Sequence, residues 1–276
     1  MSLDVARALK EGLDRLTSRN GVLFVGVFVL VSLLGNVALD SATLALEALS
    51  GELAGETGQP QPDPLPEEAT PLGFSLPGSV ITLLVLVWLL AWAAMSVVAV
   101  RVMATEHTEK IPDDLLSRRL TLATVNEIFA RIVVLTLVTV GFLAFILPGI
   151  FLAICFYFVR PLIAIEDRNA IDAMAESWRL SKGDRFAILI LLIGAVVIYG
   201  AISIAGTLGA FALSALPTAG IVVSVAFAAV ANVFWLAVSA RAYVQLREPT
   251  AEGEEVDESA DPGPNDEWND PDSVEW

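Results

Sequence analysis

Arg160 stands inside an apolar run, Pro161 follows it, and Glu166 and Asp167 close the run. A charged group and two acids around a nonpolar stretch raise the question of buried chemistry. Nucleophilic catalysis would need a nucleophile beside a base, and a metal centre would need grouped His, Cys or carboxylate ligands. The chain contains no HExxH, no GxSxG and no glycine-rich phosphate loop of the GxxxxGK type. Its one cysteine, Cys155, lies in an apolar run, and its one histidine, His107, has no second histidine or cysteine near it. One cysteine makes no intramolecular disulfide and no thiolate cluster. The expectation is therefore no catalytic residue, no metal and no cofactor. Arg160 and Pro161 are read as structural or binding residues, together with Pro148, Gly149, Trp178 and Asn232.

The surroundings of these residues explain why. The chain of 276 residues is 55% hydrophobic, yet its formal charge is -16, with a mean hydropathy of +0.69. Both hold only if charge and apolar residues are segregated along the chain. They are: Glu248 to Glu275 carries 12 of the 32 acids and no base, and Asp40 to Glu68 carries seven more, again without a base. Six stretches approach the ~20 apolar residues that cross a bilayer as a helix. They run Gly21 to Leu39, Ser79 to Met103, Ile132 to Leu147, Gly149 to Ile165, Phe186 to Leu213 and Ala219 to Ala240. Helices are the expected form, because backbone groups in lipid must bond internally. The apolar run after residue 20 is longer than a cleaved signal's core, so the first span is expected to be retained.

All 16 Lys and Arg residues fall on one side of this plan. The positive-inside rule then places both termini in the cytoplasm and the protein in the plasma membrane. Residues 1–247 are expected to form the transmembrane domain, with an outer loop over 41–78. Within that loop Pro60, Pro62, Pro64 and Pro66 favour extended polyproline II. Residues 248–276 are expected to be a disordered acidic cytoplasmic tail. An acidic exterior with 13 Arg and 3 Lys stays hydrated at high salt, which is read as a halophile's surface.

A repeat runs through the plan. Pro77, Pro148 and Pro217 each open a span, 71 and 69 residues apart, and Arg101 and Arg241 each lie 24 residues beyond their proline. Ahead of the first span, Val5, Leu9, Gly12, Leu13 and Leu16 share a helical face. Ile171, Met174, Ala175 and Trp178 form a stripe ahead of the fifth, and Leu116, Leu120 and Ala123 a weaker one ahead of the third. The fold class expected is an all-α integral membrane protein. Its six transmembrane helices form three hairpins, each preceded by an amphipathic cytoplasmic helix.

Within the stretch that holds Arg160, Pro148 and Gly149 predict the outer turn, and Pro161 predicts a kink by freeing the Tyr157 carbonyl. Asn169 is placed to cap the next helix with Asp172, and Gly183 to end it. Trp178 is expected at the membrane interface, with Asp172, Glu176 and Arg179 on the opposite face. Ala201, Ala205 and Gly209 in the fifth span, and Ser224, Ala228 and Asn232 in the sixth, form small-residue faces that allow close helix contact, across which Asn232 can hydrogen-bond. Arg160 needs a headgroup or a bonded partner, for which the carbonyl freed by Pro161, Glu127 and a lipid phosphate are the candidates.

The segments "LPGIFLAICFYFVRPLIAIED" and "AMAESWRLSKGDR" resemble a haloarchaeal family of multi-pass membrane proteins of unassigned role. That family is similar to the membrane domain attached to some glycerophosphoryl diester phosphodiesterases. The resemblance implies a six-helix membrane module. It carries no enzyme activity here, because a catalytic barrel needs roughly 200 residues or more outside the membrane. The function expected is a non-enzymatic, structural or regulatory membrane module. Its partners are the lipid bilayer and either a membrane protein or a second copy, with no nucleic acid. A transporter or channel component for a small solute or lipid is the second reading. The topology is checked with Gly58→Cys and Gly253→Cys in a Cys155→Ala background. An impermeant thiol reagent on intact cells labels the first and spares the second.

Overall fold

The computed structural model describes residues 3–57, 70–105 and 112–247. Regular structure among them is helical: α1 (Val5–Thr17), α2 (Arg19–Thr57), α3 (Gly78–Ala104), α4 (Asp113–Ser117), α5 (Leu120–Ala144), α6 (Ile146–Cys155), α7 (Val159–Glu166), α8 (Ala170–Ser181), α9 (Arg185–Ala212) and α10 (Pro217–Arg247). The proline series at 60–66, His107 and the tail at 248–276 lie outside the described residues. Six stretches are long and apolar enough to cross a membrane: α2, α3, α5, α6 with α7, α9 and α10. By helix length and composition this is a membrane protein.

The second half of α10 is the centre of the bundle. Phe234, Leu236, Ala237, Val238, Ala240, Ala242 and Tyr243 are all buried, because α1, α2, α3, α7 and α9 pack around it. Alanines in that run let neighbours come close. α1 crosses α10 at Gly12, where an added Cβ would lie 2.4 Å from the Val238 side chain. Asp4 caps α1 by accepting the Arg7 N–H, and Val5, Leu9 and Leu16 turn inward onto the core. So α1 precedes α2 in sequence but docks chiefly on α10 and α9.

Several boundaries differ from the sequence reading. The loop expected from residue 41 starts much later, since α2 continues to Thr57. Its extension is rich in Ala, Leu and Glu and meets no proline before Pro60, so nothing stops the helix. The returning segment is tied to it by Leu72 N–H donating to Asp40 (3.1 Å) and Phe74 N–H donating to Ser41 Oγ (3.0 Å). The weak amphipathic helix expected over Leu115–Val125 does not exist as a unit. α4 is a single turn, Arg119 adopts φ 43, and α5 starts at Leu120.

Pro148 and Gly149 do not form the turn between α5 and α6. Phe145 does, in an extended conformation (φ −162, ψ 151), and Pro148 falls in the first turn of α6. Its missing N–H costs nothing there, because that donor would have no helical partner. Gly149 serves the close approach of α5 and α6 instead. An added Cβ would lie 2.4 Å from Phe142 Cγ, and one on Gly141 would lie 3.0 Å from the Gly149 backbone. Between α9 and α10, Ala201 and Ala205 are exposed. The close contacts come from Gly206 against Phe227 and Gly209 against Val223.

α6 and α7 are separated by a turn at Phe156–Phe158, four residues before the point where Pro161 removes a donor. Ser177 of α8 stitches the break. Its hydroxyl donates to the Cys155 carbonyl (2.8 Å) and accepts the Phe158 N–H (3.2 Å). Asn169 caps α8 by accepting the Asp172 N–H at 2.9 Å. Gly183 follows the capping Lys182 without a left-handed backbone.

Gly149→Ala is expected to lower stability by about 1–3 kcal/mol through overpacking of the α5–α6 contact. Gly183→Ala meets no atom within 4 Å and is expected to be neutral or slightly stabilising. Thermal unfolding of both variants in detergent checks the contrast.

Candidate functional site

Arginines and carboxylates meet at the end of the bundle where α1, α7, α8 and the last turns of α3 and α10 converge. Arg101 of α3 is 2% exposed. Its guanidinium donates to the Ala164 carbonyl (2.6 Å), the Arg118 and Leu115 carbonyls (2.8 and 3.3 Å) and Asp167 Oδ1 (2.7 Å). Asp167 adopts φ 53 at the end of α7, and its second oxygen receives Arg118 at 2.8 Å. Arg241 of α10 pairs with Glu11 of α1 at 2.6 Å, and Arg7 takes the other Glu11 oxygen at 2.7 Å. Burial raises the Glu11 carboxyl, but hydrogen bonds from Arg241 and Arg7 outweigh it and hold the group below its ordinary value. Glu176, on the α8 face opposite the Trp178 stripe, is buried against Arg179 (2.5 Å) and Arg247 (3.0 Å). Burial raises its carboxyl too, and the arginines again bring it down.

A second grouping lies deeper. Arg160 Nε donates to Glu127 Oε1 at 2.7 Å, and Glu127 is 2% exposed. Of the partners considered for Arg160, the structure gives it Glu127. Next to this pair is a cavity of ≈ 350 Å³ lined by α5, the α6–α7 stretch and α10, with Leu192 of α9 at its edge. Glu127, Arg131 and Arg160 form its polar end, and Val134, Leu135 and Val138 continue along α5. Spacings of three and four residues put Glu127, Arg131, Val134, Leu135 and Val138 on one helical face. Both cations also meet Trp92 of α3, with the Arg131 guanidinium 3.6 Å and the Arg160 guanidinium 5.4 Å from its ring centroid. Among the described residues, Arg131 has no hydrogen-bonded acceptor, so the Trp92 ring is its partner. Tyr157 also lines the cavity, and its buried hydroxyl has no hydrogen-bond partner there.

Of the residues singled out from sequence, Arg160 is in this site, and Pro161 is buried in the first turn of α7 beside it. The others are elsewhere. Pro148 and Gly149 are at the far end of the α6–α7 stretch. Trp178 sits on α8 with its ring edge against Phe151 (5.5 Å) and Phe156 (5.9 Å). Asn232 is half-buried on α10 and does not line the cavity. Sequence reasoning missed Arg131, Trp92 and Tyr157. Arg131 had one available signal, its position four residues after Glu127 on the face that continues as Val134 and Val138.

A family model described as a domain of unknown function, DUF7847, matches residues 3–246. The chain belongs to that family. The DUF7847 match runs from α1 to the last turn of α10, so it includes the arginine network and the cavity. Comparison with curated proteins and with solved structures gave no match.

Removing one member of a buried ion pair strands the other charge and costs about 3–5 kcal/mol, while replacing both by apolar residues is close to neutral. Arg160→Leu is therefore expected to unfold at markedly lower temperature than the parent. Glu127→Leu/Arg160→Leu is expected to recover most of the loss. A double mutant no more stable than Arg160→Leu would show that the pair is not the relevant interaction.

Proposed function

We propose that this chain is a non-enzymatic membrane module that packs with lipid through the cavity lined by α5, the α6–α7 stretch and α10. In this reading the spans form three hairpins with cytoplasmic helices ahead of them, and both termini are cytoplasmic. The observation that carries it is the cavity itself, polar at Arg131 and Arg160 and apolar along Val134, Leu135 and Val138. That polarity gradient matches a lipid, whose head and chain differ in the same way. α5 forms one wall of the cavity, and the α6–α7 stretch with Trp235 and Ser239 of α10 forms the rest, Leu192 being the contribution of α9. A rigid role is supported by the way acids inside the spans are engaged. Glu127 is held by Arg160, and Glu166 by Arg168 (2.6 Å), Arg247 (2.9 Å) and the Tyr243 hydroxyl. Carboxylates tied in this manner are poorly placed to relay protons or ions.

The test fills the cavity. Ala153 lines it, and Ala153→Phe occupies space a chain would use. Native mass spectrometry of the full chain released from vesicles is expected to show retained lipid on the parent and substantially less on Ala153→Phe. Equal retention on both would refute the reading.

A further inference from the structure

We infer that the polar end of this cavity binds a phosphate-bearing anion, with Arg131 as its principal ligand, and that the anion is the headgroup of an anionic lipid. The inference rests on the lipid reading above and specifies the headgroup.

Charge count comes first. Arg160 and Glu127 neutralise each other at 2.7 Å, and Arg131, with no ion pair among the described residues, shares only the longer-range attraction of that same Glu127. An uncompensated arginine within a membrane costs at least about 2.5 kcal/mol on insertion scales. The cation–π contact with Trp92 at 3.6 Å offsets about 2 kcal/mol at most in a desolvated place. The N–H donors of Arg131 have no hydrogen-bonded acceptor among the described residues. An oxyanion supplies what they lack, and a planar fork of donors suits phosphate oxygens.

Geometry comes second. Arg131 and Arg160 are gathered under one indole ring, which fixes both guanidinium groups. Arg160 is anchored through Nε to Glu127, so its terminal nitrogens are held in place for a shared anion. Tyr157 lines the same wall, with its hydroxyl buried and without a hydrogen-bond partner among the described residues. This arrangement is preorganised, so binding costs little side-chain ordering.

The apolar continuation decides between sources. Free phosphate would use only the polar end. A lipid would also cover Val134, Leu135, Val138 and Leu192, a surface of no use to a small inorganic ion. The volume is enough for a headgroup and the start of a chain, with the remainder in the bilayer.

The experiment uses full-length protein equilibrated with vesicles of equimolar phosphatidylglycerol and phosphatidylcholine of the same chains. Native mass spectrometry then reads both total lipid and headgroup ratio. The parent is expected to favour phosphatidylglycerol. Arg131→Gln is expected to lose that preference about tenfold or more while still retaining lipid. Arg131→Lys keeps the charge without the fork and is expected to retain part of the preference, which covers the case where Arg131→Gln folds poorly. Lys182→Gln removes an equal charge from an exposed position and is expected to keep it all. Unchanged preference in Arg131→Gln, or none in the parent, overturns the anion assignment while leaving the lipid reading intact. Phosphate added to lipid-free protein is expected to bind weakly. If it binds tightly, depends on Arg131 and displaces the lipid, the anion stands and the lipid headgroup is overturned. Loss of all retained lipid in the parent defeats the lipid reading itself.

Discussion

A guanidinium taken out of water must find acceptors, and two arginines here, Arg101 and Arg241, are almost wholly buried. Arg101 collects acceptors from three places at once: the last turn of α7, the turn before α5, and Asp167. Each bond fixes one segment against α3. The cost appears in the backbone, where Asp167 takes a left-handed conformation worth about 1 kcal/mol or more of strain for a residue with a Cβ. Aspartate is among the residues that tolerate it best. In return both carboxylate oxygens are used, one by Arg101 and one by Arg118.

What Arg101 does for α7 sets up the deeper site. With the end of α7 held by Arg101 and its start held by Ser177 across the break, the short helix has little freedom to rotate. Arg160, in the first turn of α7, is thereby aimed at Glu127 on α5. A continuous helix from Ile146 to Glu166 would present Arg160 at a different angle. The break that Pro161 favours is thus part of how the charge pair is made. Buried pairs of this kind add little net stability over an apolar replacement, but they specify which helices meet.

Six apolar stretches were legible because the signal is local: about 20 residues of low polarity need no tertiary context. The Asn169 cap was legible for the same reason. Boundaries set by contacts were not. Nothing in the dipeptide Pro148-Gly149 distinguishes a turn from a first helical turn, and only the face of α5 opposite decides for the latter. The extent of α2 was hidden because charged residues end an apolar run without ending a helix. Arg160 could be named from its place in an apolar run, and Glu127 as one of its partners. The i, i+4 spacing from Glu127 placed Arg131 on the same face, but that it lacks an ion pair and lies over Trp92 is a property of three dimensions.

The preponderance of arginine over lysine invites a reading in terms of salt. The structure supplies a second cause that acts residue by residue. Arg101 makes four hydrogen bonds along different directions, and Arg247 reaches Glu166, Glu176 and Tyr243 together. Arg131 lies over the Trp92 ring at 3.6 Å. A lysine ammonium is a compact, strongly hydrated point charge that can neither stack as a plane nor span acceptors several ångströms apart. Wherever a cation must be buried at a helix junction, the selection is for arginine whatever the external salt. Lysine is expected only where hydration is retained, and Lys10 and Lys182, the two described lysines, are both exposed.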